Sequence, residues 1–479
     1  MSSAKWAVAI ALVVDACTVG PDFTRPEAPS TTTYTHDAVT MPAAGTSDPM
    51  QVLRPGASVE ARWWDAFHAV ALDDVVRMAI DGSPTLAAAR AKVAEAQEAV
   101  VAARGAFYPQ VDLASAAARG GAGRNAVRAG GSSSQFTFNP TILYDADAFG
   151  ATRRLVEQQG ALADVRRYEL AAAYLSLTGG AVSQAIAIAS ASEQIAAVGD
   201  IVAIDERNVA LVEIAFESGK VARTDLLDAQ SQLASDRALL PPLLQQTSVA
   251  QHALAVLAGK LPAQWAPPAF TLDGLGLPTD LPLAAPSSLV HARPDILAAE
   301  AQLHAASAAV GVATARLYPQ ITLSASWVQQ AATLGTLFDA PNGIWTVAAQ
   351  LAAPLFHGGT LEAQRRGTID ALAAQLATYR QTVLVAFAQV ADDLRALEHD
   401  AQALAAQRAA LDAAQAALAL DQQSYVAGQA TFLQVLQSQR LYQEARLGYA
   451  RARGQRYQDT VQFFLALGGG WQQAPEASP

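Results

Sequence analysis

A chain of 479 residues is long enough for several domains, but its make-up differs from that of an ordinary enzyme. Hydrophobic residues reach 52% while aromatic residues are 7% and charged residues 16%, an Ala-rich balance that suits long, closely packed helices. The formal net charge of −11, with no basic stripe, excludes nucleic acid as a partner, because neutralising phosphates takes clustered Lys and Arg.

In chain order, residues 1–16 read as an export signal. Lys5 precedes the apolar run Trp6 to Val14, which is too short to span a bilayer. Cys17 follows at the point where cleavage should fall and is the only cysteine, so no disulfide can form within the chain. Its position predicts a lipidated N-terminus anchored in a membrane, although Asp15 stands where a small or apolar residue is usual. The Thr-, Pro- and Ser-rich stretch that follows, within 17–60, has no period and predicts an extended arm rather than a domain.

The rest of the chain is an internal duplication, with repeat 1 over 61–262, a linker over 263–290, repeat 2 over 291–471 and a tail over 472–479. Ser83-Pro84-Thr85-Leu86 and Arg293-Pro294-Asp295-Ile296 each open an Ala-rich helix, and each helix stops at Tyr-Pro-Gln, at Tyr108 and Tyr318. Proline suits the first turn of a helix and ends one at its close. The period then changes to two. Ile321, Leu323, Ala325 and Trp327 alternate with Thr322, Ser324 and Ser326, and Trp345 to Leu355 alternates likewise. These patterns predict two-faced β-hairpins over 107–149 and 318–357. In the first copy the strands run from Val111 to Ala117 and from Phe136 to Ala148, across a Gly-rich loop from Arg119 to Ser134. Pro140 inside a strand calls for a bulge or a sheet edge.

Each hairpin leads into a long helix, 150–218 and 359–427, of the order of 100 Å at 1.5 Å per residue. Ile195, Val198, Val202, Val209, Val212 and Phe216 follow coiled-coil steps, broken by Asp205. Gly219 and Gly428 then mark tight turns into return helices over 220–259 and 429–467. The fold class expected is mostly α with a small β part: duplicated helical hairpins forming an α-barrel tunnel, plus four transmembrane strands per chain. Four strands cannot close a membrane barrel, which starts at about eight, and an open sheet edge is not tolerated in lipid. Either the sheet stays out of the membrane, as in a periplasmic helical scaffold or adaptor, or several chains share one barrel.

At this point the chain resembles the TolC-like outer-membrane factors of tripartite efflux pumps, in the lipoprotein branch named after NodT and OprM. The likeness runs over nearly the whole chain. It is carried by Cys17-Thr18-Val19-Gly20-Pro21-Asp22-Phe23 with Arg25-Pro26, Trp63-Trp64-Asp65-Ala66-Phe67, Arg293-Pro294-Asp295-Ile296 with Ala299-Glu300, both Tyr-Pro-Gln sites, Leu240-Pro241-Pro242, and Ala466-Leu467-Gly468-Gly469-Gly470-Trp471. The resemblance implies a homotrimer with a twelve-stranded outer-membrane barrel and a periplasmic tunnel. It also implies a periplasmic adaptor and an inner-membrane transporter, of the RND type, as partners, and passive conduction of drugs or other small molecules. By the same resemblance the periplasmic gate falls at Leu433, Gln434 and Gln437, with Asp225 and Asp228 at the matching places of repeat 1, and the adaptor-contact tips at Gly219, Lys220, Arg223 and Gly428. The family often has Asp where Gln434 and Gln437 stand, and an amide ring closes by hydrogen bonds where a carboxylate ring repels itself.

Nothing in the sequence points to catalysis or a cofactor. Asp145 and Asp147 are spaced as paired carboxylates, but their place at a strand-to-helix junction favours lumen lining or helix capping. Glu300 and His304 lie four apart without a third ligand, which excludes metal. The glycines from Gly120 to Gly131 lack the Gly-Lys-Ser/Thr ending of a phosphate loop, and no nucleophile elbow is present.

Overall fold

Matched start and stop signals give the two copies the same series of elements. In the computed structural model, which describes residues 18–39, 49–121 and 132–473, the first copy has helices α1 (Val70–Gly82) and α2 (Pro84–Gly105), strands β2 (Gln110–Gly121) and β3 (Ser132–Ala146), and the long helix α3 (Ala151–Glu217). Its return path is α4 (Arg223–Arg237) and α5 (Leu240–Leu257). The second copy has α6 (Pro286–Ala292), α7 (Pro294–Ala315), β5 (Gln320–Ala331), β6 (Gly343–Ala352), the long helix α8 (Thr360–Val426) and α9 (Phe432–Ala466). The export signal, Cys17, most of the first Gly-rich loop and the end of the tail lie outside the described residues.

One compact unit holds residues 18–26, 91–167 and 298–381. Its sheet has the order β2-β3-β5-β6, antiparallel throughout. Pro140 is therefore on an inner strand, not at an edge or in a bulge. Both neighbours keep a constant register past it, and β3–β5 pairing passes from Phe138↔Gln329 to Thr141↔Ser326, leaving Asn139 and Pro140 unpaired on that side. The missing N–H costs the ladder a rung rather than an extra residue. In the same unit the arm is clipped to the helices. Arg154, nearly fully buried, donates to Asp22 at 2.7 Å and Glu157 at 2.7 Å, and Arg25 meets Glu300 at 2.6 Å. Gly20, at φ +98°, lies so close to Gly311 that a Cβ would stand 2.5 Å from its Cα, a position only glycine can take.

The other unit holds residues 27–90, 168–297 and 382–473. Its core gathers the Trp-Trp-Asp-Ala-Phe turn against the end of α9, with Trp63 stacked on Phe464 at 5.4 Å and Phe67 fully buried. Arg293 explains the Arg-Pro-Asp-Ile motif. Its guanidinium donates to the Ala466 carbonyl at 3.0 Å and to Asp295 at 2.7 Å, which satisfies an orphan carbonyl at the C-terminus of α9 with a cation. Trp471 Nε1 likewise donates to the Ala292 carbonyl at 2.7 Å.

The expected extended arm and the linker meet in a short sheet, where β1 (Val52–Pro55) pairs in parallel with β4 (Asp280–Leu283). One sequence expectation is corrected here: the first return segment, 220–259, is not one helix. It breaks at Ala238-Leu239, ahead of Pro241 and Pro242, which have no N–H to continue the ladder and sit instead in the first turn of α5.

Candidate functional site

The register shows which residues share a face, and the strands alternate with exceptions such as Ser115 on the apolar face and Leu143, Val328 and Ile344 on the polar one. Val111, Leu113, Phe136, Phe138, Ile142, Leu323, Trp327, Trp345, Val347 and Leu351 fall on one face. Asp112, Gln135, Thr137, Thr141, Asp145, Thr322, Ser324, Ser326 and Gln350 fall on the other. Several of the apolar side chains are bare, with Trp345 76% and Val111 70% exposed, far more apolar surface than a soluble protein leaves uncovered. Phe338, from the β5–β6 loop, packs edge-on against Phe138 at 5.3 Å. A sheet with one apolar and one hydroxyl- and amide-lined face suits a wall between lipid and water.

The strand-to-helix junction separates the two carboxylates of the first copy. Asp145 accepts from the Thr322 hydroxyl at 2.7 Å on the polar face. Asp147 accepts from the backbone N–H groups of Thr152 at 2.9 Å and Arg153 at 3.0 Å, the first turn of α3, where an anion offsets the helix dipole. Glu300 is held by Arg25, and His304 stacks on Phe23 at 4.4 Å with Glu157 at 3.0 Å. Among the described residues no group of three His, Cys, Asp or Glu is placed to hold a metal.

Both tips are built alike. Gly219 and Gly428 each have φ +72°. In each, the glycine N–H reaches back three residues and the next N–H reaches back five, Lys220 to Ala215 at 2.9 Å and Gln429 to Ser424 at 2.8 Å. This closes the long helix in a Schellman turn that only glycine adopts without strain. Gly219, Lys220, Arg223 and Gly428 are all exposed. The next turns differ. Thr431 Oγ1 accepts from the Gln434 N–H at 3.3 Å, whereas Ala222 has no side-chain acceptor and α4 is closed only by Asp225, whose carboxylate takes the Ala222 N–H at 3.0 Å.

Of the expected gate residues, Leu433 and Gln437 are exposed, and Gln434 donates to Asp421 at 3.3 Å within its own hairpin. Asp225 is a helix cap and Asp228 is exposed. Among the described residues no hydrogen bond links Gln434 or Gln437 to Asp225 or Asp228.

The contacts that do join the two copies lie deeper and were missed in the sequence. Asp205 does not break the seam of α3; it is buried in it, 2% exposed, and faces Asp236 of α4 and Gln439 and Gln443 of α9. Gln439 donates to Asp205 and accepts from Asn208, while Gln443 and Gln232 donate to Asp236 at 3.0 and 2.9 Å. Asp205 Oδ2 receives no hydrogen bond. Burial, with Asp236 as the next cause, pushes the Asp205 carboxyl up to about 8. Asp400 is raised to about 8 in the same way, by burial and by Asp459. The signal was present: a charged residue in an apolar seam, and amides four apart on the facing helix.

The family model for outer membrane efflux protein matches residues 75–260 and again residues 285–469. The pyoverdine export outer membrane protein OpmQ of Pseudomonas putida is 32% identical over 450 residues, covering 90% of this chain and 94% of the relative. The toluene efflux pump outer membrane protein TtgF of Pseudomonas putida is 28% identical and covers 97% of this chain and 96% of the relative. Among solved structures, the outer-membrane channel OprN is 27% identical with a TM-score of 0.85, covering 95% of this chain and all of that one.

Proposed function

The chain belongs to the outer membrane efflux protein family, and from that premise we propose that three copies close one barrel and one tunnel, a passive exit for small molecules. As a member of that family it is an outer-membrane exit channel of an efflux system. The observation that carries the shared barrel is the sheet: four strands, one apolar face, and free edges at β2 and β6. In lipid those edges must be paired, and a single chain has nothing to pair them with.

In this reading the apolar face meets lipid and the polar face lines the water path. The tunnel is made by α3, α8 and their return helices, and the energy comes from an inner-membrane transporter reached through a periplasmic adaptor at Gly219, Lys220, Arg223 and Gly428. Cys17 carries the lipid anchor. No catalysis or cofactor is required of the chain. Relatives are named for pyoverdine export and toluene efflux, chemically unlike cargoes that suggest a duct reading size and charge loosely.

Outer-membrane fractionation with chemical cross-linking tests the assembly: a trimer in the outer-membrane fraction is expected, and a soluble monomer would sink the reading. Leu433, Gln434 and Gln437 narrow the periplasmic end, with Asp225 and Asp228 at the neighbouring tip. Gln437→Asp should then raise cation selectivity in planar bilayers, and unchanged selectivity would remove that ring from the conduction path.

A further inference from the structure

Of the two hairpin loops, the structure describes the one that joins β5 to β6, residues 332–342. Helices α2, α3, α7 and α8 all adjoin the opposite end of the four strands, so this loop lies at the end away from the tunnel helices. It has one charged residue, Asp339, and three large apolar ones, Leu334, Leu337 and Phe338.

Its contacts show which way it turns. Phe338 packs edge-on against Phe138 at 5.3 Å, and Phe138 belongs to the apolar face by register. Gln329, opposite Phe138, and Ala331, opposite Phe136, lie on that same face at the end of β5. They are 3% and 8% exposed, and Leu337 of the loop is 6% exposed. The loop therefore folds down over the apolar side of the strand ends instead of across the polar face. It also satisfies its own backbone. The N–H groups of Thr336 and Leu337 donate to the Thr333 and Leu334 carbonyls at 3.3 Å each, Asp339 N–H to Thr336 at 3.2 Å and Asn342 N–H to Asp339 at 3.0 Å. The Asn342 amide donates to the Thr336 carbonyl at 2.7 Å, and the Thr333 and Thr336 hydroxyls share a hydrogen bond at 2.8 Å. Groups paired in this way need no water. What stays bare is apolar: Leu334 is 65% and Phe338 64% exposed.

We propose that this loop is a membrane foot, which turns outward from the external rim of the barrel and sets Leu334 and Phe338 among the acyl chains of the outer leaflet. An exposed apolar pair on a self-bonded loop, continuous with a lipid-facing sheet, is what insertion at a membrane interface requires. The step of 209 residues that carries Gly219 to Gly428 sets residues 122–131 of the first copy against this loop. They have Arg124 and Arg128 and nothing apolar larger than Val127, so the composition of a foot belongs to the second copy alone.

This inference rests on the shared-barrel reading, and Val347→Cys, at a position 72% exposed on the apolar face of β6, separates the two. Leu334→Cys, Phe338→Cys, Val347→Cys and Gln330→Cys would each carry an environment-sensitive NBD label in the full chain in lipid vesicles, with wild type labelled in parallel to account for Cys17. Gln330 is exposed on the polar face. The Leu334→Cys and Phe338→Cys labels should emit to the blue of the Gln330→Cys label, lose intensity to lipids spin-labelled on their acyl chains and be sheltered from iodide. The Gln330→Cys label should respond the opposite way. Because Phe338→Cys gives up the contact with Phe138, the Leu334→Cys label decides if the two disagree. A Val347→Cys label quenched by lipid beside loop labels quenched by iodide, or by neither quencher, overturns the foot and leaves the barrel standing: the loop then lies in water or under a second chain. A Val347→Cys label that meets only iodide takes the sheet out of lipid and overturns both.

Discussion

The two copies follow one plan up to the tips and part company on the way back. In the second copy α9 returns as a single helix of 35 residues. In the first copy the return is split into α4 and α5 ahead of Pro241 and Pro242. Thr431 caps the continuous helix, whereas Asp225 alone closes the split one. The longer helix supplies Gln439 and Gln443, and the first copy supplies the acids they bind, Asp205 and Asp236. Duplication thus set the scaffold, and divergence placed the two buried acids on the first copy and two of the amides that bind them on the second.

The most severe way to break this comparison is to give the second copy the first copy's proline. Position 241 maps by the same step of 209 to Ala450, which is buried in α9. Ala450→Pro should destabilise the chain by about 3 kcal/mol or more, read as a lowered thermal transition by circular dichroism. A transition unchanged from wild type would mean that proline is not what separates the copies.

The acid pair gives the next largest effect. Asp205 titrates at about 8 in the folded chain and near 4 when unfolded. The folded state therefore holds the proton more tightly. Its contribution is complete below pH ~4 and is lost as pH rises to ~8, at up to about 1.4 kcal/mol per pH unit. Thermal stability should fall between pH 5 and pH 8 (about the middle of that window), and Asp205→Asn should flatten the slope. Equal slopes in both proteins would detach the pair from the stability of the helices.

At the tips the copies should behave alike. Gly219 and Gly428 share φ +72°, with open space where a Cβ would stand. Gly219→Ala and Gly428→Ala should each cost about 1–2 kcal/mol through backbone strain alone. Unequal losses would show that the two turns are not equivalent. Capping should give the smallest difference: Thr431→Ala is expected to cost ~1 kcal/mol. Asp225→Ala should cost less and lose its effect in high salt, since the carboxylate acts on the helix dipole. Hydrogen exchange at the first turns of α9 and α4 distinguishes the two.

The fold class and the duplication were legible because they rest on local rules. Prolines start and stop helices, glycines permit a left-handed turn, and a period of two or 3.6 separates strand from helix within a few residues. Asp147 could be placed as a cap for the same reason. The break at Pro241 was equally local, and the proline pair was noted only as a family motif.

Other features needed the folded chain. Pro140 lies on an inner strand because β3 sits between β2 and β5, an order no single strand encodes. Val52–Pro55 and Asp280–Leu283 are far apart in sequence, and each is too short to show a period. Asp205 read as an interruption because the sequence records only its polarity. The amides and the second carboxyl that face it come from two other helices, and only their packing decides that the acid is buried in the seam rather than breaking it.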